Sequence, residues 1–301
     1  MVEVRVPASS ANIGSGFDSF GIALSIYNTI TVSETDSGLN ITNKNSTEFI
    51  PNGTNNLIYR SMVRVFDEVG YEKKGLKITQ DSKIPMTRGL GSSSACIIGG
   101  LLAANVISGR QLDMQRIFEL ANELEGHPDN VAAALFGGFC ISCNDDSGLF
   151  RKTVRVPKGL EFVAMVPEYY LGTKKSRGLL PNKVKLSDAA YNISHASAFA
   201  VSMATGDFKN LGVFLNDRLH QHARLENVPD MNKIFKKSRE LGALGAYLSG
   251  SGPTVIAIIE KENRSFIAEL DEYFKKEGIK RNTRRLFVDN VGAVIKEKAE
   301  Y

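Results

Sequence analysis

The run Pro85-Met86-Thr87-Arg88-Gly89-Leu90-Gly91-Ser92-Ser93-Ser94-Ala95 gathers residues suited to holding phosphate. Glycines at 89 and 91 open backbone conformations that are closed to residues with a side chain. Three serines then begin a helical run, where unpaired N–H groups and the positive end of the helix dipole point outward. A strand, a glycine turn and a hydroxyl-lined helix start together make an anion cradle of phosphate size. No Gly-Lys-Ser/Thr follows, so this is not a Walker A loop, and the glycines lack the dinucleotide-binding spacing. A glycine turn with a serine cap would use the same residues.

Three other stretches carry polar chemistry. Residues 8–18 are small and polar, and they offer an amide at Asn12 and a carboxylate at Asp18. That pair suits a hydroxyl or an ammonium, although such a loop can also simply lead into a helix. Glu125-Gly126-His127-Pro128-Asp129-Asn130 packs polar side chains ahead of an alanine-rich run, and Asp129 could cap that helix. Thr173-Lys174-Lys175-Ser176-Arg177 reads as a densely basic loop. A solvated face is the usual meaning of such a cluster, but a guanidinium fork also pairs two carboxylate oxygens at once. His220 and His222 have no carboxylate or cysteine placed to complete a metal site, which favours a structural role.

These residues need elements to hold them. Residues 2–6 alternate like a strand that ends at Pro7, and residues 26–33, 39–42 and 76–79 read as further strands. Asn55 and Asn56 would cap a helix with Ile58, Met62, Val65, Phe66 and Val69 on one face, stopped at Gly70. Residues 95–107 are small and apolar, so that helix should be buried. In a helix over 113–125, Met114, Ile117, Leu120, Ala121 and Leu124 face inward. Glu119 lies between Ile117 and Leu120, and it either approaches the buried side or stays partly exposed. Strands at 138–143 and 150–156 lead to Pro157-Lys158-Gly159, the expected boundary between units 1–157 and 158–301. The second unit reads as a strand at 160–167, helices at 189–204 and 209–214, strand-turn-strand across 245–257, a helix at 264–275 and strands within 285–295.

The chain's 301 residues are enough for two domains, with 43% hydrophobic and 23% charged residues and a net charge of +4. The signs are mixed and there is no basic arm, so nucleic acid is not an expected partner. No apolar run reaches the length of a membrane span. The N-terminus runs straight into a strand pattern, so no signal peptide is expected. Three cysteines fit no disulfide framework. Cys140 and Cys143 would face opposite sides of a strand, as buried, inert thiols in a reducing cytoplasm.

The glycine-serine run resembles the second motif of the GHMP kinases. Pro7-Ala8-Ser9-Ser10-Ala11-Asn12-Ile13-Gly14-Ser15-Gly16-Phe17-Asp18 is similar to their first motif in its homoserine kinase form. Residues 125–138 and 173–181 resemble segments of the same branch, and residues 245–257 look like the third motif. The resemblance implies an α+β fold, with a ribosomal-protein-S5-type N-terminal domain and a ferredoxin-like C-terminal domain. It implies ATP and Mg²⁺ as cofactors, and phosphorylation of the side-chain hydroxyl of L-homoserine for threonine synthesis. A homodimer in the cytoplasm is expected. Alternatives are a sister kinase acting on mevalonate or a sugar, or a non-catalytic nucleotide-binding member.

Roles also follow from the resemblance. Residues 85–95 would hold the triphosphate, and the region of Asn55 and Asn56 would lie near the nucleotide base. Glu119, eight residues before His127, would bind the metal together with Ser93. Asn12, Asp18, His127, Asn130, Thr173, Arg177 and Arg224 would hold the substrate, the two arginines by its carboxylate. Either Asp129 or Asn130 would face the reacting hydroxyl. Asn130 is preferred, because the resemblance to homoserine kinases implies an amide there, and the protein then supplies no direct base.

Overall fold

The computed structural model describes residues 1–44 and 50–297, with the side chains of residues 173 and 174 outside that description. Strand β1 (Val2–Ala11) buries Val2, Val4 and Val6, as the alternation requires, and then continues past Pro7. Its register against β2 (Phe20–Thr35) shifts between Pro7 and Ala8. Such an irregularity is where a strand tolerates a residue with no N–H. The strand therefore carries on to the edge of the Asn12 loop.

There follow β3 (Leu39–Asn43), α1 (Leu57–Val69), β4 (Gly75–Ser82), α2 (Ser92–Ile107), α3 (Met114–Glu125), α4 (Pro128–Phe136), β5 (Phe139–Asp145) and β6 (Gly148–Val154). Helices α2 and α4 pack on β1 and β2, and α1 and α3 flank α2. This explains why α2 is apolar all round, with Ala95, Ile98, Leu101 and Leu102 fully or almost fully buried. Met114 is 43% exposed rather than inward, because it stands at the free first turn of α3. Cys140 is buried but Cys143 is exposed near the end of β5, so only one of the pair is the expected buried thiol.

The second unit comprises β7 (Leu160–Pro167), α5 (Thr173–Arg177), α6 (Leu186–Thr205), α7 (Leu211–Phe214), a 3-10 turn (His222–Asn227), α8 (Met231–Glu240), β8 (Gly245–Leu248), β9 (Val255–Glu260), α9 (Phe266–Glu277) and β10 (Arg281–Leu286). Its antiparallel sheet runs β10-β7-β9-β8, the order of a ferredoxin-like sheet. The basic stretch expected as a loop begins as helix α5. The last strand, β11 (Val294–Glu297), leaves this unit and pairs antiparallel with β1, Val4 opposite Ile295. Among the described residues the first sheet runs β11-β1-β2-β4-β3, with β5 on β2 and β6 on β5.

Strand β7 is buried along its whole length because its two faces join two cores. Phe162 and Ala164 enter the large core of the first unit, and Val163 and Met165 pack with Met231, Ile234, Phe266 and Leu270. Both units thus share packing at the seam where the site lies. Among the described residues, no helix is long and apolar enough to cross a membrane.

Candidate active site

A cavity of about 300 Å³ opens along that seam, lined by residues of both units. The phosphate cradle forms one part of its wall. Gly91 caps α2 in the left-handed conformation, φ 67°, and among the described residues no side chain caps that end. The first intrahelical bond is donated by the Ala95 N–H to Gly91 O at 2.9 Å. The N–H groups of Ser92, Ser93 and Ser94 therefore have no helical partner. A serine cap does not account for these residues, since glycine takes the cap position. A Cβ at Gly91 would lie 2.0 Å from Ser9 Oγ, and one at Gly89 2.4 Å from Ser249 O. The glycines let the loop sit directly on β1 and on the turn after β8. That turn props it from below, where the Ser249 hydroxyl donates to Gly89 O at 2.5 Å.

Two of the three serines face a carboxylate. Ser93 Oγ donates to Glu125 Oε2 at 2.8 Å, and Ser94 Oγ to Glu125 Oε1 at 3.0 Å. The carboxylate is not that of Glu119. The Glu119 side chain is 35% exposed and accepts from Arg116 and Gln115, both at 3.1 Å, in a surface group that also includes Glu68 and Glu123. Six residues at 3.6 per turn carry Glu119 well round the helix from Glu125. Glu125 closes α3, immediately before the left-handed Gly126, φ 88°, and that is what brings it to the serines.

The first-motif loop and the C-terminal unit supply the other side of the cavity. Asn12 and Asp18 both hold positive φ, 64° and 53°, and Asn12 Oδ1 accepts the Asp18 N–H at 2.8 Å. Asp18 also takes both arms of the Arg177 guanidinium, at 3.0 and 2.5 Å. Arg224 is held differently. It is 1% exposed, and its Nη1 donates to His220 Nδ1 at 2.8 Å and to Gly250 O at 3.1 Å. Among the described residues its Nε has no partner, and no carboxylate lies within ion-pair distance of it. Burial, with Arg177 adding, pulls its pKa down to about 10, so it stays charged at neutral pH. The Phe17 ring lies 5.7 Å from both guanidinium carbons. A buried cation held only by neutral acceptors is costly until an anion joins it.

His127 Nδ1 lies 3.0 Å from Asp129 Oδ1, which also accepts the Asn130 N–H at 2.7 Å. Burial opposes the charged imidazole, but the Asp129 hydrogen bond and charge outweigh it, and the His127 pKa rises. Asp129 is not the N-cap of α4. His127 takes that position, Pro128 starts the helix, and Asp129 sits inside its first turn. Asn130 Oδ1 accepts from Ser9 Oγ at 2.9 Å, and its Nδ2 has no partner among the described residues.

Asn12, His127, Asn130, Arg177 and Arg224 therefore line one cavity with Met86, Thr87, Arg88, Gly89, Gly91, Ser92 and Ser93. Asp18 borders it through its ion pair with Arg177. Leu90 and Ala95 are buried behind the loop, and Glu119 is not brought to the site. The Thr173 side chain lies outside the described residues. Sequence reasoning missed Glu125, although it stands in the quoted Glu-Gly-His string; it reads Asn56 as a helix cap, in a region that the resemblance puts near the nucleotide base. Asn56 does cap α1, accepting from the Ile58 and Tyr59 N–H groups, and it also lines the cavity beside Ile50 and Leu57.

Comparison with known proteins agrees with this geometry. Residues 56–138 match the GHMP kinases N terminal domain, and residues 199–276 the GHMP kinases C terminal. The homoserine kinase of Clostridium beijerinckii is 41% identical, with 99% of each chain covered. That of Caldicellulosiruptor bescii is 43% identical over 88% of this chain and 87% of its own. The crystal structure of homoserine kinase from Cytophaga hutchinsonii superposes with a TM-score of 0.86 at 26% identity, over 98% of this chain and 97% of that one. The two-unit α+β architecture, the glycine-serine cradle and the full-length similarity all lead to the same place: the chain belongs to the GHMP kinases, in their homoserine kinase branch.

Proposed function

We propose that this chain transfers the γ-phosphoryl group of ATP to the side-chain hydroxyl of L-homoserine, giving O-phospho-L-homoserine for threonine synthesis. Arg224 carries the reading. It is a buried cation without a carboxylate partner among the described residues, in the same cavity as the phosphate cradle. The α-carboxylate of an amino-acid substrate would supply its missing anion, and a neutral sugar would not. Mevalonate also carries a carboxylate, but it has no ammonium for Asp18 to hold.

The unpaired N–H groups of Ser92, Ser93 and Ser94 hold the triphosphate, and Ile50, Leu57 and Asn56 line the part of the cavity assigned to the base. Glu125 with Ser93 fits a hard divalent cation, one carboxylate and one hydroxyl being enough for an ion that takes its other ligands from phosphate and water. We assign Mg²⁺ there; when bound it screens charge on the transferring phosphoryl group. Arg224 and Arg177 take the substrate carboxylate, with Thr173 assigned beside them. Asp18, turned toward Arg177 by its ion pair, takes the ammonium, and Asn12 holds the loop that presents it.

Asn130 positions the hydroxyl. Ser9 occupies its Oδ1, so Nδ2 is left to donate to the substrate oxygen. An amide accepts no proton at neutral pH, and Asp129 is already engaged by His127 and a backbone N–H. The hydroxyl oxygen bonds to the γ-phosphorus, the bridging bond to ADP breaks, and the hydroxyl proton passes late to the phosphoryl oxygens. Orientation and charge placement then supply the catalysis.

The finer organisation we propose is units 1–157 and 158–301 closing on the site, with β11 returned to the first sheet. We further propose a cytoplasmic homodimer that uses no nucleic acid. Leu186, Ile193 and Val201, 86%, 67% and 61% exposed along α6, offer an apolar stripe for the second copy. The test is ADP release from ATP with homoserine, mevalonate, galactose or threonine, at several Mg²⁺ concentrations. Turnover confined to homoserine is expected, and equal or faster turnover of another acceptor overturns the reading.

A further inference from the structure

A second polar chain runs behind the substrate arginine. The side chain of Asp217 is fully buried, and it accepts the N–H groups of Leu219, His220 and Gln221 at 3.0, 2.9 and 2.7 Å. These bonds pin the turn that carries His220. That histidine has no solvent exposure; its Nε2 lies 2.7 Å from Gly14 O and its Nδ1 2.8 Å from Arg224 Nη1. A carbonyl can only accept and a guanidinium can only donate. One state of the ring satisfies both contacts: neutral, with the hydrogen on Nε2. Burial agrees, pushing the His220 pKa down, with the charge of Arg224 adding and that of Asp217 opposing.

The two arginines are therefore prepared in different ways. Arg177 is oriented by a carboxylate, Asp18, which also cancels much of its field. Arg224 is oriented by an acceptor that carries no charge. We propose that His220 is a positioning residue for the substrate carboxylate: its Nδ1 aims the Arg224 guanidinium without neutralising it, while its Nε2–H ties the same group to the loop bearing Asn12 and Asp18. An aspartate in its place would orient Arg224 at the expense of the free charge. The ring also stacks on Phe17, centroids 5.3 Å apart, and Phe17 in turn underlies both guanidinium groups. One side chain thus sets the spacing between the carboxylate anchor and the first-motif loop. This inference rests on the homoserine reading above.

Two substitutions separate the two contacts. His220→Asn places an acceptor oxygen near the position of Nδ1 and drops the Gly14 tie. His220→Gln places a donor near Nε2 and drops the acceptor for Arg224. Steady-state kinetics with homoserine and ATP, alongside thermal melts, read the outcome. H220Q is expected to raise the KM for homoserine about tenfold or more, with the KM for ATP within about threefold of wild type. H220N is expected to keep the homoserine KM within about threefold. A merely structural histidine would lower the active fraction in both variants and leave both KM values alone. Equal rises in homoserine KM for H220Q and H220N, no rise in either, or an ATP KM that moves in step, overturns the proposal. If H220Q does not fold, H220A measured beside H220N decides: a homoserine KM raised about tenfold in H220A and near normal in H220N supports the role of Nδ1, and equal values in the two overturn it. Failure of the wild type to turn over homoserine would instead remove the substrate reading.

Discussion

Replacing the Glu125 carboxylate by an amide would keep its size and remove the charge that faces Ser93 and Ser94. In E125Q, kcat measured against Mg²⁺ concentration should fall by about 100-fold or more, the scale of losing one preorganised electrostatic contact. E119Q changes a residue in a surface ion cluster and should stay within about twofold. A collapse in E119Q alone would return the metal to that residue. His127 gives a pH prediction. Its pKa is raised in the fold, so its stabilising contribution is complete below the ordinary value near 6.5 and is lost as pH rises through the higher folded value. The melting-temperature advantage of wild type over H127Q should therefore shrink from pH 6 to pH 9. A constant difference would mean that the ring is not charged in the fold. Residue types were legible in the sequence more readily than their partners. Asp18 and Arg177 both stood out, but their mutual ion pair spans 159 positions, and only tertiary structure creates it. The resemblance points to Glu119 by its spacing from His127, and the angle around α3 turns that side chain to the surface group with Arg116.

At the scale of elements, the glycine-serine loop works because it touches two neighbours at once. Gly91→Ala puts a methyl where Ser9 Oγ lies 2.0 Å away, at a φ that side chains rarely adopt. The variant should lose at least about 1 kcal/mol in urea denaturation and raise the KM for ATP more than that for homoserine. An ATP KM unchanged in a folded variant would show that the loop does not hold the nucleotide. Strands and helices with regular periodicity were readable: the buried α2, the inward face of α1 and the unbroken run of β7. Features set by packing were not. Pro7 looked like a strand end, yet a register shift lets β1 run on to Ala11. The basic stretch looked like a loop because five residues are too few to show a helical period, and α5 is that short.

At the scale of the molecule, the ferredoxin-like order of the second sheet and the shared core at β7 keep the two halves of the site in fixed register. The sequence divided the chain after Pro157 and could not show that its end returns to its beginning, since β11 is four residues with no strong pattern. Deleting residues 287–301 should uncover β1 along the register from Val2 to Arg5. We expect a melting temperature lower by at least about 5 °C, given that roughly 1 kcal/mol shifts a domain of this size by 2–4 °C. An unchanged melt would make β11 peripheral.

The pairing of β1 with β11 also has a consequence in time. A ribosome makes β1 (Val2–Ala11) long before its edge neighbour β11 (Val294–Glu297). At about 5–20 residues per second, the first strand waits roughly 15–60 s for the partner that completes its sheet. During that wait the nascent chain presents an open strand edge to other nascent chains. Glu3 and Arg5, alternating with the buried valines, are the charges available to discourage such pairing. Uncharged residues at those two positions would leave the finished enzyme's chemistry alone and lower the yield of chains that reach it.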